Sequence, residues 1–339
     1  MVFAGIDVFK RTPQNHDVLG IAQEGATGQK VCEVRLRYDI LLAQENSVNK
    51  PQFRASTRDQ AIMELILNQT RPSTRTVKVG GLTVGGPDFT VIAGPCSIES
   101  RDQFLETALG VKKAGACLLR GGIWKMRTSS KTFQGLGSNS FDMIRSVLRE
   151  TGMGLVSEVT DTEQIEQIHD IVDMFQVGSR NMHNYSLLKA LGRTNKPVLL
   201  KRGFAGLIDE WIKAAEYVTN GGNPNVILCE RGIRTFETAT RNTLDLNAVV
   251  YAKHNTDYPV IVDPSHAVGI RALVPDLALA AAAAGADGII VEVHPRPAEA
   301  LSDGPQALTL NDFEQMMSRL NRVLSAIDRP LQKAAQLAH

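Results

Sequence analysis

From Phe89 onward the chain alternates eight short apolar runs with eight amphipathic stretches, and few folds accommodate that rhythm. The runs are 89–94 (FTVIAG), 117–120 (CLLR), 154–159 (GLVSEV), 174–178 (MFQVG), 197–201 (PVLLK), 225–230 (NVILCE), 259–263 (PVIVD) and 287–293 (DGIIVEV). Helical spacing fills the gaps, around 101–114, 139–151, 162–170, 184–192, 208–220, 238–253, 269–284 and 311–327. A strand that is apolar along its whole length is buried on both faces, as in parallel sheets covered by helices. Eight such units in about 240 residues predict an α/β architecture, a closed (β/α)₈ TIM-type barrel. A doubly wound open sheet is the competing arrangement, but no G-x-G-x-x-G follows the first strand. Thr76 to Gly86, TVKVGGLTVGG, alternates around a glycine pair and predicts a hairpin that closes one end as a lid.

Residues 1–75 carry no comparable pattern beyond one plausible helix, Ser56 to Asn68. They read as an N-terminal extension with no role assigned by the sequence (a regulatory appendage, an oligomer contact or a partly disordered arm), ahead of a catalytic barrel over 76–339. The formal net charge of +1 gives no basic field for nucleic acid. No stretch reaches the roughly 18 apolar residues that span a membrane, and no signal peptide is evident at the start. Four cysteines without close pairing (Cys32, Cys96, Cys117 and Cys229) suit a reducing compartment and a cytoplasmic location.

A barrel places its chemistry just after each strand. Those positions hold Cys96, Arg120 with Lys125, Glu158, Arg180, Lys201 with Arg202, Glu230 with Arg231, Asp263 with His266, and Glu292 with His294. Every exit carries an ionisable or metal-binding group, and a purely structural barrel would scatter them over its outer helices. Cys96, His266, Glu292 and, in LSDGPQ, Asp303 offer S, N and O donors to one divalent ion. Singly, the thiol is as readily a packed core residue and the histidine a satisfied polar group. Their exits, the first, seventh and eighth, are however neighbours around a closed barrel. Arg120, Lys125, Arg127, Arg180, Lys201, Arg202 and Arg231 converge on the same mouth. So many cations call for a ligand with several negative charges, phosphate or carboxylate, and Thr128, Ser129 and Ser130 add hydroxyl donors.

The segments GPCSIES, LRGG with a K-x-R-T-S loop ending in FQGLG, LLKRG, ILCERGIRTFE, DPSHA, and IIVEVHP followed by ALSDGPQ resemble, in order, the type I 3-deoxy-D-arabino-heptulosonate 7-phosphate (DAHP) synthases. The nearest subgroup is the one related to 3-deoxy-octulosonate 8-phosphate synthases, and the likeness covers about residues 76 to 330. It implies a metal-dependent condensation of phosphoenolpyruvate with erythrose 4-phosphate at the entry to the shikimate pathway. It further implies Cys96, His266, Glu292 and Asp303 as ligands of a divalent metal, Mn²⁺ first, with Fe²⁺, Co²⁺ and Zn²⁺ as alternatives. Arg120, Lys125, Arg180, Lys201 and Arg231 look like the phosphoenolpyruvate cations, and Arg127 and Thr128 the contacts to the aldose phosphate. Lys125, Cys96 and His266 are the catalytic candidates. A homo-oligomer, dimer or tetramer, is expected, with small-molecule substrates and neither nucleic acid nor membrane as partners.

The family loop usually reads K-P-R-T-S-P, whereas this chain has Lys125-Met126-Arg127-Thr128-Ser129-Ser130 followed by Lys131. Two stiffening prolines are absent, which leaves room for another phosphorylated aldose in a specialised pathway. A Schiff-base aldolase acting through Lys201 is the mechanistic alternative.

Overall fold

The computed structural model describes residues 72–126, 129 and 131–334. The expected helix Ser56 to Asn68, together with Cys32, Arg127, Thr128 and Ser130, lies outside the described residues. Two strands, β1 (Val77–Val79) and β2 (Leu82–Val84), form the expected antiparallel hairpin. Eight parallel strands then close into a barrel: β3 (Thr90–Gly94), β4 (Leu118–Arg120), β5 (Gly154–Val159), β6 (Met174–Val177), β7 (Val198–Lys201), β8 (Val226–Glu230), β9 (Val260–Val262) and β10 (Gly288–Glu292). Closure comes from β10, whose five residues pair in register with β3.

The period of two along each strand explains both the core and the mouth. One register of side chains (Ile92, Leu118, Val156, Met174, Leu199, Ile227, Ile261 and Ile290) packs with Val77, Val79, Leu82 and Val84 of the hairpin. The hairpin is therefore a plug on the strand-start end, pinned where the Arg75 N–H donates to the Asp257 carbonyl at 2.7 Å. The alternate register, including Val91, Leu119, Leu155, Phe175, Leu200, Leu228, Val262 and Val291, packs outward into the main core shared with the helices. Two residues further along the inward register the chemistry changes. There stand Arg120, Glu158, Gln176, Lys201, Asp263 and Glu292, a charged layer on an apolar floor.

The helices are α1 (Arg101–Lys113), α2 (Phe141–Thr151), α3 (Glu163–Ile168), α4 (Tyr185–Gly192), α5 (Ile208–Thr219), α6 (Leu246–Asn255), α7 (Pro264–Val268), α8 (Val274–Ala283) and α9 (Leu310–Ala326). Most match the expected periodic stretches, but two differ. The helix expected over 238–253 starts only at Leu246, because the Asp245 side chain caps it by accepting from the Ala248 N–H. Residues 232–245 form a mouth loop instead, closed by a bridge between Ile233 and Thr243. The stretch expected as one helix over 269–284 is interrupted as well. Gly269, at φ 71°, ends α7 in the left-handed conformation, and α8 begins at Val274 behind a short 3₁₀ turn.

Candidate active site

Four donor atoms, from Cys96 after β3, His266 on α7, Glu292 at the end of β10 and Asp303 in the following loop, all lie within 4.8 Å of one another. The Cys96 Sγ is 3.1 Å from Asp303 Oδ2, and His266 Nε2 is 3.2 Å from Glu292 Oε1 and 3.8 Å from Asp303 Oδ2. Asp303 adopts φ 53°, a left-handed backbone that aspartate tolerates better than most residues. Such strain is often retained at ligand-holding positions. Glu292 Oε1 is buried and makes no hydrogen bond, although Arg120 Nη2 and His266 Nε2 each stand 3.2 Å away. A buried carboxylate oxygen without a hydrogen bond, beside a thiol, an imidazole and a second carboxylate, is a donor set that a borderline divalent cation would complete, so these residues fit one.

Groups behind the donors hold them in place. Asp263 Oδ2 lies 2.7 Å from His266 Nδ1 and also accepts from Lys201 Nζ, tying a donor to a mouth cation. The Gln306 amide donates to Glu292 Oε2, and Arg241 donates to Gln306 Oε1 at 2.7 Å. Ser302 Oγ lies 2.9 Å from Cys96 Sγ. None of Gln306, Arg241 and Ser302 is visible from strand-exit logic, since all three sit in loops, although Gln306 and Ser302 flank Asp303 in the SDGPQ segment.

Beside the donors opens a cavity of about 340 Å³ lined by Arg120, Lys125, Met126, Arg180, Lys201 and Arg231, together with Ser129, Glu158 and Phe204. The structure thus brings five of the sequence-derived cations to one space. Arg202 points elsewhere: its Nη1 lies 3.1 Å from Glu230 Oε2 and 2.9 Å from Asp245 Oδ2, and its Nε donates to the Gly206 carbonyl. It clamps the turn after β7 rather than lining the mouth. Two of the lining cations keep donors in hand, because Nη1 of Arg120 and Nη1 of Arg231 are buried without a hydrogen-bond acceptor. Lys125 folds back so that its Nζ donates to the Cys96 carbonyl at 3.2 Å and sits 3.8 Å from Glu158. At Gly178 a Cβ would come within 2.0 Å of the Glu158 carboxylate, so any larger residue there would displace that side chain.

Burial, then the Glu292 carboxylate, pushes the Cys96 thiol well up. Burial pulls His266 down against Asp263 and Glu292, which favours the neutral imidazole a cation needs. Burial, the largest single influence, would raise Asp263 and Asp303, but it is outweighed by the combined pull of His266 and Lys201 on the first and of His266, the Cys96 hydrogen bond and Arg241 on the second. Both carboxyls are held below their ordinary range. Burial works against the Lys125 ammonium, yet Cys96 and Glu158 more than compensate and leave it raised.

The sequence profile of the DAHP synthetase I family matches residues 67–329. A phospho-2-dehydro-3-deoxyheptonate aldolase of Thermotoga maritima is 44% identical over 264 residues, which is 78% of this chain and 78% of that protein. A 2-dehydro-3-deoxyphosphooctonate aldolase of Nitrobacter winogradskyi is 33% identical over 276 residues, covering 75% of this chain and 94% of the relative. The crystal structure of the Thermotoga maritima DAHP synthase superposes with a TM-score of 0.74, covering 77% of this chain and 76% of that one. A truncated form from the same organism, 42% identical, gives 0.72 over 77% of this chain and 96% of the other. No helix among the described residues is long and apolar enough to cross a membrane.

Proposed function

The chain belongs to the DAHP synthetase I family, and from that premise we propose how its residues divide the condensation of phosphoenolpyruvate with erythrose 4-phosphate. The reaction joins the methylene carbon of phosphoenolpyruvate to the aldehyde carbon, adds water at the adjacent carbon and releases phosphate. The observation that carries the assignment is a four-donor cluster within 4.8 Å bordering a cavity lined by six cations, five of them read from the sequence.

Cys96, His266, Glu292 and Asp303 hold the divalent metal, with Mn²⁺ as the first choice and Fe²⁺, Co²⁺ or Zn²⁺ compatible with the same donors. Bound there, it supplies Lewis-acid polarisation of the aldehyde oxygen. Arg120 and Arg231 meet the phosphoenolpyruvate anions with their unsatisfied Nη1 donors, and Arg180 and Lys201 complete the charge. This binding fixes the enol carbon facing the aldehyde and accounts for much of the rate through orientation. Lys125, held protonated between the Cys96 carbonyl and Glu158, keeps a transferable proton beside the donor cluster. Arg127 and Thr128 anchor the aldose phosphate in this reading.

Residues 1–75 are an appendage outside the chemistry, which the start of the family match near residue 67 supports. The buried unpaired thiols of Cys96, Cys117 and Cys229 support a cytoplasmic, reducing location. A homo-oligomer, dimer or tetramer, completes the proposal and is decided by light scattering. The assignment itself is tested by following phosphoenolpyruvate loss and phosphate release with erythrose 4-phosphate as acceptor. Product should form with that aldose in the presence of divalent metal, and loss of phosphoenolpyruvate without an acceptor would contradict it.

A further inference from the structure

One aromatic ring stands among the cations of the cavity. Phe204 follows β7, and its ring centroid is 5.4 Å from the Arg180 guanidinium, 4.7 Å from that of Arg231 and 4.9 Å from that of Arg234. These arginines come from the exits of β6 and β8, and the ring contacts all three. We propose that Phe204 is a positioning residue that holds the cavity arginines Arg180 and Arg231 in a preformed cluster for the phosphate of the substrate, with the exposed Arg234 stacked on the same ring beside them. This rests on the functional reading above, which places the phosphoenolpyruvate anions here.

The physical reason is the difference between a ring and a carboxylate as a counter-group. Three guanidinium groups in one place repel, and something must hold them together before the ligand arrives. A carboxylate would do so by accepting their N–H groups, as Glu230 and Asp245 do with Arg202 next door. An aromatic face attracts a cation through its quadrupole without consuming hydrogen-bond donors. Arg231 fits that description, since it is buried yet its Nη1 has no acceptor. Arg234, which strand-exit logic does not single out, is fixed to the same residue by its backbone N–H donating to the Phe204 carbonyl at 2.7 Å. The turn carrying the ring is itself rigid, closed from Gly206 N to the Gly203 carbonyl and clamped by Arg202. Ligand binding then incurs less ordering of long side chains, which is the usual origin of affinity gained by preorganisation.

The test compares full-length Phe204→Leu, which removes the ring, with Phe204→Tyr, which keeps it. KM for phosphoenolpyruvate should rise about tenfold in the leucine variant, with kcat and the KM of the aldose within about twofold of the parent; the estimate follows from cation–π and side-chain-ordering magnitudes. The tyrosine variant should stay within about twofold throughout. Should leucine lower thermal stability, Phe204→Met supplies the same comparison with a longer, more adaptable chain. Calorimetric titration with inorganic phosphate is the independent readout, and it should weaken in the ring-less variants alone. An unchanged phosphoenolpyruvate KM without the ring, or equal losses in the leucine and tyrosine variants, would overturn the proposal. A parent that binds phosphate but never phosphoenolpyruvate would instead sink the functional reading, and the phosphate series still decides the role of the ring.

Discussion

His266 Nδ1 and Asp263 Oδ2 are 2.7 Å apart, and that same oxygen accepts from Lys201 Nζ. One buried carboxylate therefore orients a proposed metal ligand and a proposed phosphoenolpyruvate cation together. It holds the imidazole so that Nε2 faces Glu292 and Asp303.

Asp263→Asn keeps the shape and removes the charge. Metal affinity should drop about 10- to 100-fold, the range for lost partners behind a metal-binding histidine, and KM for phosphoenolpyruvate should rise in the same variant. Metal competition with a chelating dye and steady-state kinetics check the two effects. A change in one without the other would show that the bridge does not couple them. Because Asp263 is held well below its ordinary value, its stabilising contribution is present above the unfolded carboxyl range, near pH 3.9, and is lost as pH falls through the folded value. Acid unfolding of the metal-free parent should accordingly be steeper than that of Asp263→Asn.

Cys96 is a thiol in the metal-free chain, pushed up mainly by burial, while burial holds His266 down and neutral. Loading a divalent ion should thus release about one proton near neutral pH, since the bound form is the thiolate. Apparent affinity should fall by up to about tenfold for each unit of pH lost. Proton release measured in weak buffer should vanish in Cys96→Ser, which should fold normally and lose metal-dependent turnover. Equal proton release in both proteins would remove Cys96 from the donor set.

Met126 lines the cavity where the related loop usually carries proline. The flexible side chain should let the acceptor vary, so activity is expected with erythrose 4-phosphate and, more weakly, with a five-carbon aldose phosphate. Met126→Pro should narrow that range by stiffening the loop, with phosphoenolpyruvate KM unchanged. Arg127→Ala should weaken every phosphorylated acceptor. Strict four-carbon selectivity in both the parent and the proline variant would make Met126 a neutral substitution.

Removal of residues 1–70 should preserve turnover, because every donor and cation of the proposed site lies beyond residue 90. A truncated chain with a native circular-dichroism spectrum and no activity would show that the extension completes the site.

The barrel is legible in the sequence because strands buried on both faces leave uninterrupted apolar runs, and 154–159 is read to the residue. The loop 232–245 is not, since its helix-like spacing gives way to the Asp245 cap and the Ile233–Thr243 bridge. Cys96, His266 and Glu292 are legible because strand exits converge. Asp303 is offered by residue type alone and gains its place from the family likeness, and Gln306, Arg241 and Phe204 need coordinates, because loop side chains meet through tertiary packing that no local period records. Arg202 is the instructive error among the cations. Its neighbour Lys201 projects into the mouth, and the strand alternation turns Arg202 toward Glu230 and Asp245.

The central claim, condensation at a four-ligand metal site, is tested most directly by chelation and reconstitution of the full-length chain. Product formation from phosphoenolpyruvate and erythrose 4-phosphate should cease after exhaustive chelation and return with Mn²⁺ or Co²⁺, but not with Mg²⁺ alone. Full turnover of the chelated protein, with borohydride trapping substrate on Lys201, would contradict it.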